Sequence, residues 1–208
     1  MRKKHQTSRQ KKIPRHLQQK IGEATNLYTF GRFDEAIPIF ESVIKEMPDL
    51  ADVTHTMSLI YEEKGDLEKA FTFCFLSAIE TRTDSDKWQQ CARLALGIQN
   101  HSHAIYCFNR AIKALDPVSQ YKQVFDLKMQ KIDVYSQKGD FVSILRTVEK
   151  MIAFYKDHLS CPEKKEIEQM LRKIQYETLF RQGNALKACQ IIYSNFIESS
   201  SADTGNLI

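Results

Sequence analysis

The side chains of this 208-residue chain that come nearest to a chemical site are two histidines and a cysteine. His101 and His103 lie two positions apart in a segment with helical periodicity, so their side chains diverge. His103 and Cys107 lie four positions apart and share a helix face, but two ligands are too few for a zinc site. The pattern therefore favours a core cysteine beside a surface histidine over a metal centre.

Catalytic motifs are also absent from the sequence. It contains no glycine-rich phosphate loop, no nucleophile elbow and no His-Glu-x-x-His pattern. The carboxylates are scattered along segments whose polar faces are expected to be solvated. We therefore expect no enzyme, no cofactor, no metal and no small-molecule substrate, and we expect function to reside in a binding surface.

The composition is that of a folded helical protein, with 42% hydrophobic and 27% charged residues and only 7 Gly and 5 Pro. No run of about 18 apolar residues occurs, so no membrane span is expected. The five cysteines are odd in number and lie within helical patterns. This usage indicates reduced thiols in a cytosolic or nuclear protein rather than a disulfide framework.

The charge is unevenly distributed along the chain. Residues 1–20 hold eight Lys or Arg and no acidic residue, so the overall charge of +4 leaves −4 for the remainder. Residues 1–13 are predicted to be a disordered basic arm, whose cations include Arg2, Lys3, Lys4, Lys11 and Lys12. The arm is compatible with a nuclear localisation signal, a nucleic-acid contact or a solubilising tail.

A repeat organises the rest of the sequence. Small residues recur as Ala36, Ala70 and Ala104, at intervals of 34 residues, each amid matching apolar neighbours. This interval is the period of the tetratricopeptide repeat (TPR), a helical hairpin that buries its apolar face only by stacking on further hairpins. The sequence therefore predicts an all-α, TPR-type helical-hairpin solenoid.

Turn residues divide this array into about five hairpins. Gly31 and Gly65 mark the first two turns, the pair Gln99–Asn100 replaces the third glycine, and Gly139 and Gly183 mark the fourth and fifth. At the third turn we expect Asn100 to take the left-handed conformation, which Asn tolerates well. The predicted array covers residues 14–198, and residues 199–208 are predicted to be a disordered tail.

The first helices of stacked hairpins line a groove, which is the candidate binding surface. It is more acidic than basic, so it favours a basic or mixed extended segment; an unused polar surface remains the alternative. Its predicted residues are Tyr28, Asp52, His55, Leu59, Glu62, Glu63, Asp86, Gln90 and Arg93.

Several stretches show a resemblance more specific than the repeat, over about residues 12–115 and more weakly to about 198. They are Pro14–Leu17, Gly22–Ala24, Gly31, Glu35–Ile37, Ile60–Lys69, Trp88 with Ala92, and Ala104–Phe108 with Ala111–Ile112. In order and spacing they resemble the first TPR array of the TPR subunit of transcription factor IIIC.

The resemblance implies a nuclear, non-enzymatic scaffold that supports RNA polymerase III transcription of transfer RNA-type genes. Its implied partners are other transcription factor IIIC subunits and the Brf and Bdp subunits of transcription factor IIIB, with promoter DNA contacted only through the complex. Members of this family are much longer and have an acidic N-terminal region and a second TPR array. The present chain could be an isoform, a shortened paralogue or a fragment.

Other functional classes predict different features. A co-chaperone carboxylate clamp needs Lys, Asn and Arg where this sequence has Ile21, Thr25, Thr56, Asp86 and Gln90, and Asp86 would repel a carboxylate. A generic TPR adaptor outside transcription remains open. A nucleic-acid binder acting through the basic arm also remains open, and its affinity would fall steeply with salt.

Overall fold

The computed structural model describes residues 12–158 and 163–204. Within these ranges the chain forms ten α-helices and no β-strand. The all-α prediction is therefore confirmed. The chain divides into two compact units, residues 1–98 and residues 99–208.

The first unit contains five helices joined by short turns. They are α1 (Arg15–Thr29), α2 (Phe33–Glu46), α3 (Ala51–Glu63), α4 (Leu67–Thr81) and α5 (Ser85–Gly97). Neighbouring helices along the chain pack against one another, most extensively α3 with α4. Each hairpin thereby covers the apolar stripe that it could not bury alone.

Small residues allow close packing in the first unit, as the 34-residue period predicts. Ala36 and Ala70 are completely buried. The buried Ser58 hydroxyl donates a hydrogen bond to the Ala70 carbonyl at 2.8 Å, which ties α3 directly to the backbone of α4. Trp88 is also completely buried, and its indole N–H donates to the Arg82 carbonyl at 3.2 Å. The large ring can therefore be buried with its polar atom satisfied.

A recurring backbone motif forms the turn of four hairpins. At the second, Gly65 has φ of 78° and the Asp66 N–H donates to the Tyr61 carbonyl at 2.9 Å. This is the Schellman arrangement, in which a glycine takes the left-handed conformation without steric cost. Equivalent hydrogen bonds and positive φ values occur at Gly31, Gly139 and Gly183.

The third turn corrects one expectation. Gln99, not Asn100, takes the left-handed conformation, with φ of 56°. Asn100 instead has φ of −90° and caps the next helix, its side chain accepting from the His103 N–H at 3.1 Å. The 34-residue period explains the difference, because position 99 is the one equivalent to Gly31 and Gly65.

The second unit also contains five helices. They are α6 (His101–Ala114), α7 (Tyr121–Gln137), α8 (Phe141–His158), α9 (Lys164–Arg181) and α10 (Ala185–Thr204). Ala104 and Phe108 of α6 are buried, in keeping with the repeat. A separate core joins α7, α8 and α9, and its buried members are Ile132, Ile144, Val148, Met151, Tyr155 and Leu171.

The first helix begins next to the predicted start of the array, whereas the last helix extends past its predicted end. Pro14 directly precedes α1, and its carbonyl accepts from the Gln18 N–H at 3.0 Å. At the other end α10 continues to Thr204, beyond the predicted end of the array at residue 198. Residues 1–11 of the basic arm and the last four residues of the tail lie outside the described residues.

Candidate partner-binding surface

The predicted groove residues all lie in the first unit, on three first helices of hairpins. Tyr28 is on α1; Asp52, His55, Leu59, Glu62 and Glu63 are on α3; Asp86, Gln90 and Arg93 are on α5. The Tyr28 ring packs against Phe33 of α2, with ring centroids 6.0 Å apart. The contacts that join predicted groove residues connect α3 with α5.

An ion pair joins the C-terminal end of α3 to α5. Arg93 makes a bidentate contact with Glu62, through Nη1 to Oε1 at 2.6 Å and Nη2 to Oε2 at 3.0 Å. The guanidinium lowers the pKa of Glu62, and a hydrogen bond from Gln90 contributes in the same direction. Glu62 therefore stays charged but is already neutralised by a neighbour, so it contributes less to the acidity of the surface than its sequence position indicates.

Three carboxylates account for the acidity that remains. Asp52, Glu63 and Asp86 are exposed, and none forms an ion pair within the part of the chain that the structure describes. Asp86 accepts only a long hydrogen bond from the Gln89 side chain, at 3.3 Å. These groups are available to a cationic ligand, and they extend along α3 and the first turn of α5.

His55 occupies a less polar position on the same surface. It is half-buried, and its Nδ1 is buried without a hydrogen-bond partner. Burial lowers the pKa of His55 below its ordinary value of 6.5, and Lys87 lowers it further, against the opposing effect of Asp52 and Asp84. The imidazole is consequently neutral at physiological pH.

Lys87 is the residue of this surface that sequence reasoning missed. It is half-buried in the first turn of α5, directly beside Asp86 in sequence, and its charge acts on His55 of α3. The turn itself is fixed by Asp84, whose carboxylate accepts from the N–H groups of Asp86 and Lys87 at 3.1 and 3.2 Å. This cap satisfies two backbone N–H groups that would otherwise lack a partner at the start of α5.

The described residues also bear on metal binding, on the membrane and on the basic arm. No group of three or more His, Cys, Asp or Glu able to hold a metal ion occurs among the described residues. Cys107 is buried and His103 exposed, as the sequence predicts. Over residues 12–158 and 163–204, no helix is both long and apolar enough to cross a membrane. Of the predicted arm cations only Lys12 is described, and it is exposed.

Comparison with solved structures identifies the fold, and comparison of sequences identifies a relative. No protein-family model matches the chain. It is 30% identical, over 129 residues, to General transcription factor 3C polypeptide 3 of Homo sapiens. The aligned region covers 62% of this chain but only 14% of the length of that protein.

Solved structures with similar folds are helical repeat proteins of low sequence identity. The MamA protein is similar with a TM-score of 0.51 and 17% identity, covering 92% of this chain and 96% of that one. A putative kinesin light chain with TPR-like repeats from Podosopora anserina is similar with a TM-score of 0.50 and 12% identity. The similarity covers 93% of this chain and 99% of that one. A chain of the structure of Naa15/Naa10 bound to HypK-THB is similar with a TM-score of 0.53 and 15% identity. The similarity covers 88% of this chain and 25% of that one. The fold is therefore an all-α, TPR-like solenoid.

Proposed function

We propose that this chain is a non-enzymatic TPR scaffold of the transcription factor IIIC system, which acts in the nucleus by binding partner proteins. The observation that carries the proposal is its 30% identity over 129 residues to General transcription factor 3C polypeptide 3. The shared region is a small part of that protein, so the proposed role is limited to partner binding by a single TPR array. The partners we propose are other transcription factor IIIC subunits and the Brf and Bdp subunits of transcription factor IIIB.

The surface formed by α3 and α5 supplies the proposed binding mode. Its exposed carboxylates Asp52, Glu63 and Asp86 face solvent, while Glu62 and Arg93 hold the two helices in register through their ion pair. A basic segment of a partner would gain charge complementarity there, which acts chiefly on association rate and specificity. Promoter DNA is then contacted through the complex rather than by this surface.

A charge-reversal experiment with purified Brf and Bdp tests this mode. Glu63→Lys and Asp86→Lys, singly and together, remove acidic groups without disturbing the Glu62–Arg93 pair. We expect the double variant to weaken binding by roughly tenfold or more at low salt, with a smaller effect at high salt. Glu62 is a poor choice for this test, because a lysine there would face Arg93.

The matched control is Glu80→Lys, an exposed position at the end of α4, outside the α3–α5 surface. It changes the net charge by the same amount as each single variant. If Glu80→Lys weakens binding as much as Glu63→Lys, only the overall charge matters and the proposed surface is wrong. If wild-type chain binds neither Brf nor Bdp nor any transcription factor IIIC subunit, the proposed role is wrong.

A further inference from the structure

A second site lies in the other unit, between α7 and α8. A cavity of about 270 Å³ is lined by Lys128, Lys131, Tyr135, Ser143, Arg146, Thr147 and Lys150. Four of these side chains are cations, three carry hydroxyl groups, and none is a carboxylate. No residue of this set belongs to the surface on α3 and α5, so the site is independent of the proposed function.

The helical period explains how the cations come together. Lys128, Lys131 and Tyr135 are spaced by three and four residues on α7, so they share one face, and Ser143, Arg146 and Lys150 do the same on α8. The turn at Gly139 places the two helices side by side. Apolar residues such as Ile132 and Ile144 fill a neighbouring core, so the polar lining is a distinct strip of the hairpin.

The two lysines on α7 are held partly out of water. Lys131 Nζ donates to Asn109 Oδ1 at 3.0 Å, and Lys128 Nζ lies 5.5 Å from the centroid of the Phe154 ring. Burial lowers the pKa of both lysines, and the charges of Lys128 and Lys150 lower that of Lys131 further. Like charges gathered in a partly desolvated site without a counter-ion are unfavourable, and a bound anion would relieve that cost.

One acidic group, Asp140, acts on this lining from outside the cavity. The charge of Asp140 acts on Tyr135 and interacts with that of Arg146, although Asp140 does not line the cavity. Its carboxylate accepts from the Ser143 N–H at 3.0 Å and from the Ser143 hydroxyl, which hold its pKa below the ordinary value. None of the four lining cations forms an ion pair with a carboxylate among the described residues.

We propose that this cavity binds a phosphorylated serine or threonine side chain of a partner protein. A phosphate dianion can neutralise several cations at once, with the Arg146 guanidinium giving paired hydrogen bonds and the lysines acting as point charges. A single carboxylate would leave most of the charge uncompensated. Nucleic acid fits less well, because it needs a basic track that follows successive phosphates, whereas these cations converge on one cavity.

The experiment uses the full chain labelled with ¹⁵N and two probes at constant ionic strength. One is inorganic phosphate, and the other is a short Gly- and Ala-rich peptide with one phosphoserine. Both should shift backbone amide resonances within residues 128–150, and the peptide should do so at lower concentration. The unphosphorylated peptide should have no effect.

Variants at the two exposed cations of the lining separate binding from folding. Arg146→Gln with Lys150→Gln should weaken phosphopeptide binding by roughly tenfold or more. The matched control, Lys138→Gln with Lys156→Gln, removes two exposed cations near the ends of α7 and α8, outside the cavity, and should leave affinity unchanged. Thermal unfolding of both double variants should stay close to wild type.

Three results would overturn the proposal. The first is the absence of localised shifts with either probe up to about 10 mM, a concentration that corresponds to negligible affinity. The second is equal weakening by the control pair. The third is a single-stranded RNA that binds through Arg146 and Lys150 more tightly than the phosphopeptide. None of these outcomes depends on Brf, Bdp or the α3–α5 surface, so failure here and failure of the proposed function are distinguishable.

Discussion

Residues 21–98 and residues 99–208 are built from the same kind of helical hairpin, but their net charges are opposite in sign. The first stretch has fourteen acidic residues and seven Lys or Arg, a net charge of −7. The second has twelve acidic residues and fifteen Lys or Arg, a net charge of +3. The repeat fixes which positions are apolar and leaves the polar faces free to vary, so one architecture can present two surfaces of different specificity.

The two candidate sites also differ in how their charges are arranged. On the α3–α5 surface, Glu62 is paired with Arg93, and the remaining carboxylates are spread out and exposed. In the α7–α8 cavity, Lys128 and Lys131 are half-buried and converge without a carboxylate. The first arrangement suits an extended segment of opposite charge, and the second suits one compact anion.

The largest expected effect tests whether packing of the repeat residues stabilises the second unit as it does the first. Phe108 is 2% exposed on α6. Phe108→Ala should lower the free energy of unfolding by roughly 3–5 kcal/mol, because it leaves a cavity in a packed core. Urea denaturation measures this change. A loss below about 1 kcal/mol would show that Phe108 is not a core residue.

A smaller effect is expected when the acidic group near the basic α7–α8 cavity, Asp140, loses its charge. Asp140→Asn keeps an oxygen that can cap α8 but removes the negative charge that acts on Arg146. Phosphopeptide affinity should rise by a few-fold, with stability changed by less than about 1 kcal/mol. Titration calorimetry and urea denaturation measure the two quantities. Unchanged or weaker binding would mean that Asp140 does not oppose an anion in the cavity.

The smallest expected effect is a pH dependence of the first unit. Because folding lowers the pKa of His55 from its ordinary value of 6.5, the unfolded chain binds a proton more readily than the folded chain. The associated stability is fully present above pH 6.5 and is lost as pH falls through the lower folded pKa. In the His55→Gln variant, the unfolding midpoint should therefore change less with pH between about pH 7.5 and 5.5 than it does in wild type. An identical pH profile for both proteins would contradict this assignment.

The sequence predicted the helices and turns because they depend on local rules. The 34-residue spacing located Ala36, Ala70 and Ala104, all of which are buried, and the glycines located four turns. The assignment at Asn100 was wrong because two adjacent residues could each take the left-handed conformation. Only the position within the period distinguishes them, and it indicates Gln99.

The candidate sites were less accessible from the sequence, because they depend on side chains from different helices. Neither the Glu62–Arg93 pair nor the effect of Lys87 on His55 can be read from one helix alone. The basic cavity was missed for a similar reason. On α7 its lysines are interspersed with Asp126 and Asp133, so no run of like charge marks them, although the shared spacing on both helices was a usable signal.

The measurement that tests the central claim most directly is a pull-down from nuclear extract with the tagged chain, read by mass spectrometry. Wild-type chain and the Glu63→Lys, Asp86→Lys double variant are compared side by side. The proposed role predicts that wild type recovers transcription factor IIIC subunits, Brf or Bdp, and that the double variant recovers less of them. Recovery of a different set of proteins, with none of these, would contradict the role and leave only the TPR-like fold.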